Sequence, residues 1–128
     1  LNVEILWWDD LERHPAPERW SQTFGADLGI TGVDWAIAET GSLALISREG
    51  GRGKSVSLLP PVHIALFEPN QLLPDLFDLS PLLEQLPGGL PSNVTLITGP
   101  SKTGDIQLKL TTGVHGPGEV HAVIIEPA

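Results

Sequence analysis

The hexapeptide Val62-His63-Ile64-Ala65-Leu66-Phe67 constrains the fold more than any other stretch of the chain. Its apolar character is nearly continuous, whereas a strand with one wet face alternates. Such runs belong to strands buried on both faces, as parallel sheets require. The segment is therefore read as a central strand.

Shorter runs fit around it. Val3-Glu4-Ile5-Leu6-Trp7, Leu28-Gly29-Ile30, Leu43-Ala44-Leu45-Ile46, Val56-Ser57-Leu58, Val94-Thr95-Leu96-Ile97-Thr98 and Glu119 to Ile125 read as strands. Glu18 to Phe24 reads as a short helix after Pro15-Ala16-Pro17. Leu72, Leu76, Leu79, Leu83 and Leu86 step by four, three, four and three, the spacing of one helical face. Pro81 lies inside that run. It predicts either a kink or a second helix with Ser80 as cap and Pro81 as first residue, closed by Gly88-Gly89. Arg48 to Lys54 reads as an exposed hairpin loop, and Ile106 to Leu110 is ambiguous. Fourteen Gly and 12 Pro in 128 residues mean that the chain turns often, so long helices are not expected. The expected class is α/β, with a mainly parallel sheet flanked by helices, in a single domain over residues 1–128. Methionine is absent, the initiator included. The expectation is that an N-terminal segment of the native protein is missing.

Charge and composition exclude several roles. Seven Lys and Arg against 16 Asp and Glu give a net charge of −9. That disfavours nonspecific nucleic-acid binding and association with anionic membranes. No apolar run approaches the ~20 residues of a membrane-spanning helix, and no basic-then-apolar signal segment opens the chain, so a cytoplasmic location is expected. There is no cysteine. These residues therefore form no disulfide, zinc–thiolate site, thiol nucleophile or cysteine-held iron–sulfur cluster.

Three segments could carry chemistry. In Thr98-Gly99-Pro100-Ser101-Lys102-Thr103-Gly104-Asp105, glycines free the backbone, hydroxyls stand at Ser101 and Thr103, and Lys102 supplies a cation. Such a turn can cradle a carboxylate or phosphate, and in open α/β sheets ligands gather beyond the carboxyl ends of strands. The alternative is a capped turn with a solvated Lys102. In Ala38-Glu39-Thr40-Gly41-Ser42, Glu39 facing a cleft could act as base, nucleophile or orienting acceptor. The alternative is a turn glutamate bonded to local backbone. In Thr112-Gly113-Val114-His115-Gly116-Pro117-Gly118, His115 sits on a tight loop. That is a better setting for a site than the strand positions of His63 and His121, which read as core or edge histidines. Glu119, His115 and His121 match no established metal-ligand spacing, so no metal site is expected. Gly53-Lys54-Ser55 resembles the end of a P-loop, but Arg48 stands where that motif needs Gly.

Five segments in order resemble the LUD (lactate utilisation) domain family, of the lactate utilisation protein C type. They are Asp27 to Asp34, Ile37 to Leu43, Ser57 to Ile64, Ile97 to Ile106 and Gly113 to Pro117. Two departures stand out: Lys102 where the family typically has Arg, and Gly104 where it typically has Ala. Lys keeps the charge but loses the bidentate fork. The resemblance implies a fold like that of ribose-phosphate isomerase, glucosamine-phosphate deaminase and CoA transferases. It also implies a part in oxidising L-lactate to pyruvate beside partner proteins that carry iron–sulfur clusters, with no cofactor on this chain. Glu39 and His115 are then the candidate acid–base groups. Thr40, Gly41, Gly99, Pro100, Ser101, Lys102, Thr103, Asp105 and Gly116 are candidates for holding a small carboxylate or phosphate. Alternatives are a stand-alone enzyme on a small anionic metabolite, such as a sugar phosphate or acyl-CoA, and a noncatalytic organiser subunit.

Overall fold

The computed structural model describes residues 2–47, 54–104, 110–112 and 116–127. The elements are α1 (Trp8–Leu11), α2 (Ala16–Phe24), β1 (Leu28–Gly32), β2 (Trp35–Ile37), β3 (Ser42–Ser47), α3 (Lys54–Leu58), β4 (Val62–Phe67), β5 (Leu72–Leu73), α4 (Leu79–Glu84), β6 (Asn93–Ile97), β7 (Lys102–Gly104), β8 (Leu110–Thr112) and β9 (Glu119–Ile124). Two short 3-10 turns, Pro69–Gln71 and Leu76–Asp78, flank β5.

β4 is the middle strand of an all-parallel sheet ordered β1-β4-β9. The class is α/β with a parallel sheet, as its near-continuous apolar sequence predicts. Next to it stands a second sheet, ordered β5-β2-β3-β6, in which β2–β3 and β3–β6 pair antiparallel and β2–β5 parallel. The short apolar runs of β2, β3 and β6 resemble those of the parallel strands, so sequence alone does not set this second sheet apart from the first.

Side chains alternate across a strand and paired residues of parallel strands share a face. The register thus sorts the parallel sheet into two rows of positions. One face carries Gly29, Thr31, His63, Ala65, Phe67, Val120, Ala122 and Ile124. Ala65, Phe67 and Val120 pack there against Val33 and against Ala36, Leu43, Leu45 and Ile97 of the second sheet, forming the main core. At the β1 side of this face α3 comes so close that a Cβ on Gly29 would collide with the Val56 carbonyl oxygen. The far side of the second sheet is covered by α4, whose Leu79 and Leu83 pack against Ile37, Ala44, Trp35 and Leu73.

Several local expectations are corrected. Val3 to Trp7 is irregular chain leading into α1, not a strand, and Val3, Ile5 and Trp7 are exposed. β propensity without a partner strand does not make a strand. Val56-Ser57-Leu58 belongs to helix α3 rather than to a return strand. The leucine series from 72 to 86 is broken: Leu72 and Leu73 pair with Ala36 and Ile37, and the helix proper covers only Leu79–Glu84. Pro74 and Asp75 divide the series, with the Asp75 carboxylate accepting from the Phe77 and Asp78 amides and starting a new turn. Pro81 then falls in the first turn of α4, where a missing N–H breaks no intrahelical bond. The helix begins at Leu79, not at Pro81, and ends before Gly88-Gly89. Lys102–Gly104 forms β7, paired with β8, where a loop was expected. Of Arg48 to Lys54, expected as a hairpin loop, Lys54 instead opens helix α3, and residues 48–53 lie outside the described residues.

Two polar devices tie the layers together. The Gln71 amide donates to the Val33 and Asp34 carbonyls at 2.7 and 3.1 Å, while the Gln71 Oε1 accepts from the Glu68 amide at 2.8 Å. This clamps the turn after β4 onto the β1–β2 connection. The Asp34 carboxylate accepts from the Ile46 amide at 2.8 Å, which fixes β3 to the same connection.

Candidate functional site

Three of the sequence segments meet through hydroxyls and backbone. The turn Glu39–Gly41 follows β2. It is held by Ala38 N–H donating to the Leu73 carbonyl, Glu39 N–H to the Pro74 carbonyl and Gly41 N–H to the Ile37 carbonyl, at 2.8, 3.1 and 2.9 Å. Gly41 has φ +69°, a conformation that other residues adopt only with strain. The turn ends at Ser42, which is buried and opens β3.

Ser42 Oγ lies 2.6 Å from Thr40 Oγ1 and 2.7 Å from Thr98 Oγ1. Residues 56 positions apart are thus joined in one chain of hydroxyls. The cause is the β3–β6 pairing, in which Leu43 faces Ile97, so that the start of β3 and the exit of β6 lie side by side. Three hydroxyls hold three protons and the two bonds use two of them, so one proton remains to be donated elsewhere. Thr40, Thr98, Gly41 and Gly99 are exposed, and nothing lies within 4 Å of an ideal Cβ on either glycine. The space beside both turns is open to a small acceptor.

The chain continues through Gly99, at φ +84°, and exposed Pro100 to Ser101. Ser101 N–H donates to the Pro117 carbonyl at 2.8 Å, and its Cβ lies 3.5 Å from an ideal Cβ on Gly116. Gly118 N–H in turn donates to the Pro61 carbonyl at 2.9 Å, just before β4. The third segment therefore reaches the first two through Ser101. Its location corrects one expectation. The cluster adjoins the amino ends of β4 and β9, not the carboxyl ends of the parallel sheet. The Thr98 segment follows the carboxyl end of β6, but β6 runs antiparallel to β3 in the second sheet. The carboxyl end of β1 is instead occupied by the Gln71 clamp.

Thr40, Gly41, Gly99, Pro100, Ser101 and Gly116 thus fall in one neighbourhood. Glu39 is exposed on the turn itself. Lys102 and Thr103 enter β7, and the described structure covers their backbone only. Asp105 and His115 lie outside the described residues. Ser42 and Thr98 were absent from the candidate residues, although they make the connection. The available signal was a hydroxyl directly beside a glycine in both segments.

Of the other histidines, His63 is fully buried, and its Nε2 is 2.8 Å from Thr31 Oγ1 while Nδ1 has no partner. Burial without a counter-charge lowers its pKa from the ordinary value, so it is held neutral. His121 is an exposed edge residue 3.2 Å from the Glu119 carboxylate. Among the described residues no group of three His, Cys, Asp or Glu could hold a metal ion. No described helix is long and apolar enough to cross a membrane.

Comparison with known proteins adds the family. The LUD domain model matches residues 3–125. Lactate utilization protein C of Halalkalibacterium halodurans is 37% identical over 127 residues, covering 97% of this chain and 53% of that protein. The protein of the same name from Shouchella clausii is 39% identical over 103 residues, 79% of this chain and 44% of its own. An uncharacterized protein of Neisseria meningitidis serogroup B is 38% identical over 112 residues, 86% of this chain and 48% of its own. The chain spans about half the length of these relatives. Among solved structures, a DUF162 family protein from Deinococcus radiodurans matches with a TM-score of 0.55 at 22% identity. The match covers 84% of this chain and 58% of that one, a likeness of fold.

Proposed function

The chain belongs to the LUD domain family, and from that premise we propose that it serves lactate utilisation as a substrate-binding component working with partner proteins. The observation that carries this reading is the Thr40–Ser42–Thr98 hydroxyl chain set between two open glycine turns. It presents a neutral donor to a small carboxylate, with Ser101 on the same loop and Lys102 following it. Converting L-lactate to pyruvate removes two electrons and two protons from the hydroxyl-bearing carbon and its oxygen. A base takes the hydroxyl proton, and an acceptor must take the electrons. Glu39, on the turn that carries Thr40, and His115 are the proposed bases. These 128 residues contain no cysteine to hold a cluster. The electron acceptor is accordingly assigned to partners that carry iron–sulfur clusters. Relatives named for lactate utilization support the substrate class.

The test is calorimetric titration of the purified chain with L-lactate and, separately, with inorganic phosphate. L-Lactate is expected to bind, and Lys102→Ala to weaken it about tenfold, as loss of a charged hydrogen-bonding partner does. The circular-dichroism spectrum should be unchanged. No heat with lactate, or equal affinity in the variant, would remove the loop from the site. Tighter binding of phosphate than of lactate would favour an enzyme of phosphorylated metabolites instead.

A further inference from the structure

The three linked hydroxyls constrain one another. Ser42 is buried. Among the described residues its hydroxyl has two partners, Thr40 Oγ1 at 2.6 Å and Thr98 Oγ1 at 2.7 Å. A buried O–H left without an acceptor is costly, so the Ser42 proton goes to one threonine and the other threonine donates to Ser42. Two arrangements result. If Ser42 donates to Thr98, Thr40 donates to Ser42 and Thr98 holds the spare proton. Thr40 Oγ1 then accepts from the Ser42 amide at 3.3 Å and keeps one lone pair for an outside donor. If Ser42 donates to Thr40, the roles exchange: Thr40 offers a proton outward and Thr98 offers lone pairs. In neither arrangement do both ends donate. One end gives a proton and the other takes one, and both ends are exposed beside the open turns at Gly41 and Gly99.

A ligand that satisfies both ends must carry an acceptor and a donor close together. The two threonine oxygens each lie within 2.7 Å of the same serine oxygen, so a short molecule reaches both. A 2-hydroxy acid has that pattern, a carboxylate beside a hydroxyl. A 2-oxo acid presents acceptors only, and at one end it sets lone pair against lone pair. Given the lactate-binding role proposed above, on which this depends, we propose that Ser42 is the specificity-determining residue of the site. By fixing opposite polarities on Thr40 and Thr98 it favours a 2-hydroxy acid over the corresponding 2-oxo acid, and it does so through its neighbours. The oxidised product is then held less tightly than the substrate and leaves. Tertiary structure puts Ser42 in this position: it opens β3, and the β3–β6 pairing sets Leu43 opposite Ile97, the residue before Thr98.

The purified chain is titrated calorimetrically with L-lactate, pyruvate and propionate, the last a carboxylate with neither hydroxyl nor carbonyl beside it. L-Lactate is expected to bind about five- to tenfold more tightly than either, the worth of one matched hydrogen bond. Ser42→Ala frees the two threonines to turn independently, so both ends can donate. L-Lactate and pyruvate should then bind within about twofold of each other. Thr98→Val removes one end with little change of shape at an exposed position and should abolish the preference as well. It supplies the answer if Ser42→Ala does not fold. Thr95→Val, on the same strand but outside the hydroxyl chain, should keep the preference. General loosening of the fold weakens all three ligands together, so the ratio of lactate to pyruvate affinity reports on Ser42. A parent chain that binds pyruvate as tightly as lactate, or more so, overturns the proposal and leaves lactate binding in place. So does a preference that survives both Ser42→Ala and Thr98→Val. No heat with any of the three ligands removes the site itself, and the proposal with it.

Discussion

The two faces of the parallel sheet come from the same three strands, yet they solve different problems. One face carries the small residues Gly29, Thr31, Ala65 and Ala122, with one large ring, Phe67, one histidine, and Val120 and Ile124 on β9. Small side chains let α3 and the second sheet approach closely, and Thr31, His63, Ala65 and Phe67 are buried as a result. The other face carries Leu28, Ile30, Val62, Ile64 and Leu66, larger and more uniformly aliphatic, and Leu28 and Ile30 remain largely open. Hydropathy alone would rank the second face as the better core. What makes a core is the presence of a complementary surface at van der Waals distance, because dispersion and water exclusion both vanish without it.

Substitution on the two faces should expose that difference most sharply. Phe67→Ala removes a ring from the packed face and is expected to cost about 3–5 kcal/mol. Ile30→Ala on the open face should change stability by no more than about 0.5 kcal/mol. Urea unfolding of both variants checks this, and equal losses would show that the open face is covered in solution. Between these two lies Gly29→Ala on the packed face, expected to cost about 1–3 kcal/mol, since the added methyl meets the Val56 backbone rather than a flexible side chain. Thermal melts should report it. A neutral result would mean that α3 can move off β1.

The smallest effect concerns pH. His63 on the packed face has a lowered pKa in the folded state, so the unfolded chain binds the proton more readily. Its contribution to stability is present above the unfolded pKa of ~6.5 and is lost as pH falls through the folded value. His63→Gln should flatten that part of the stability–pH profile. A profile unchanged by His63→Gln would place the acid sensitivity elsewhere.

What was legible in the sequence follows the range of the forces involved. β4 was recognisable because burial on both sides leaves a continuous apolar run, and the turns at Gly41 and Gly99 because a hydroxyl-flanked glycine marks a reversal. The leucine series from 72 to 86 misled for the converse reason. Its helical spacing is genuine at Leu79 and Leu83, which pack on the second sheet, but at Leu72 and Leu73 pairing with β2 overrides it. Val56 misled in the same way, since a β-branched residue in a five-residue helix is decided by what α3 packs against.

The chain's covalent order alone determined its chemical inventory: no thiols, an excess of carboxylates, glycines where the backbone must turn left-handed, and family membership through short motifs in order. The tertiary structure decided which of those motifs became neighbours. Antiparallel pairing of β3 with β6 brought Ser42 to Thr98, and Pro117 brought Ser101 to the amino ends of the parallel strands. It also decided which of two apolar sheet faces became a core. Local preference acts over a few residues, whereas strand pairing and packing join residues far apart in the chain, so no local pattern records them.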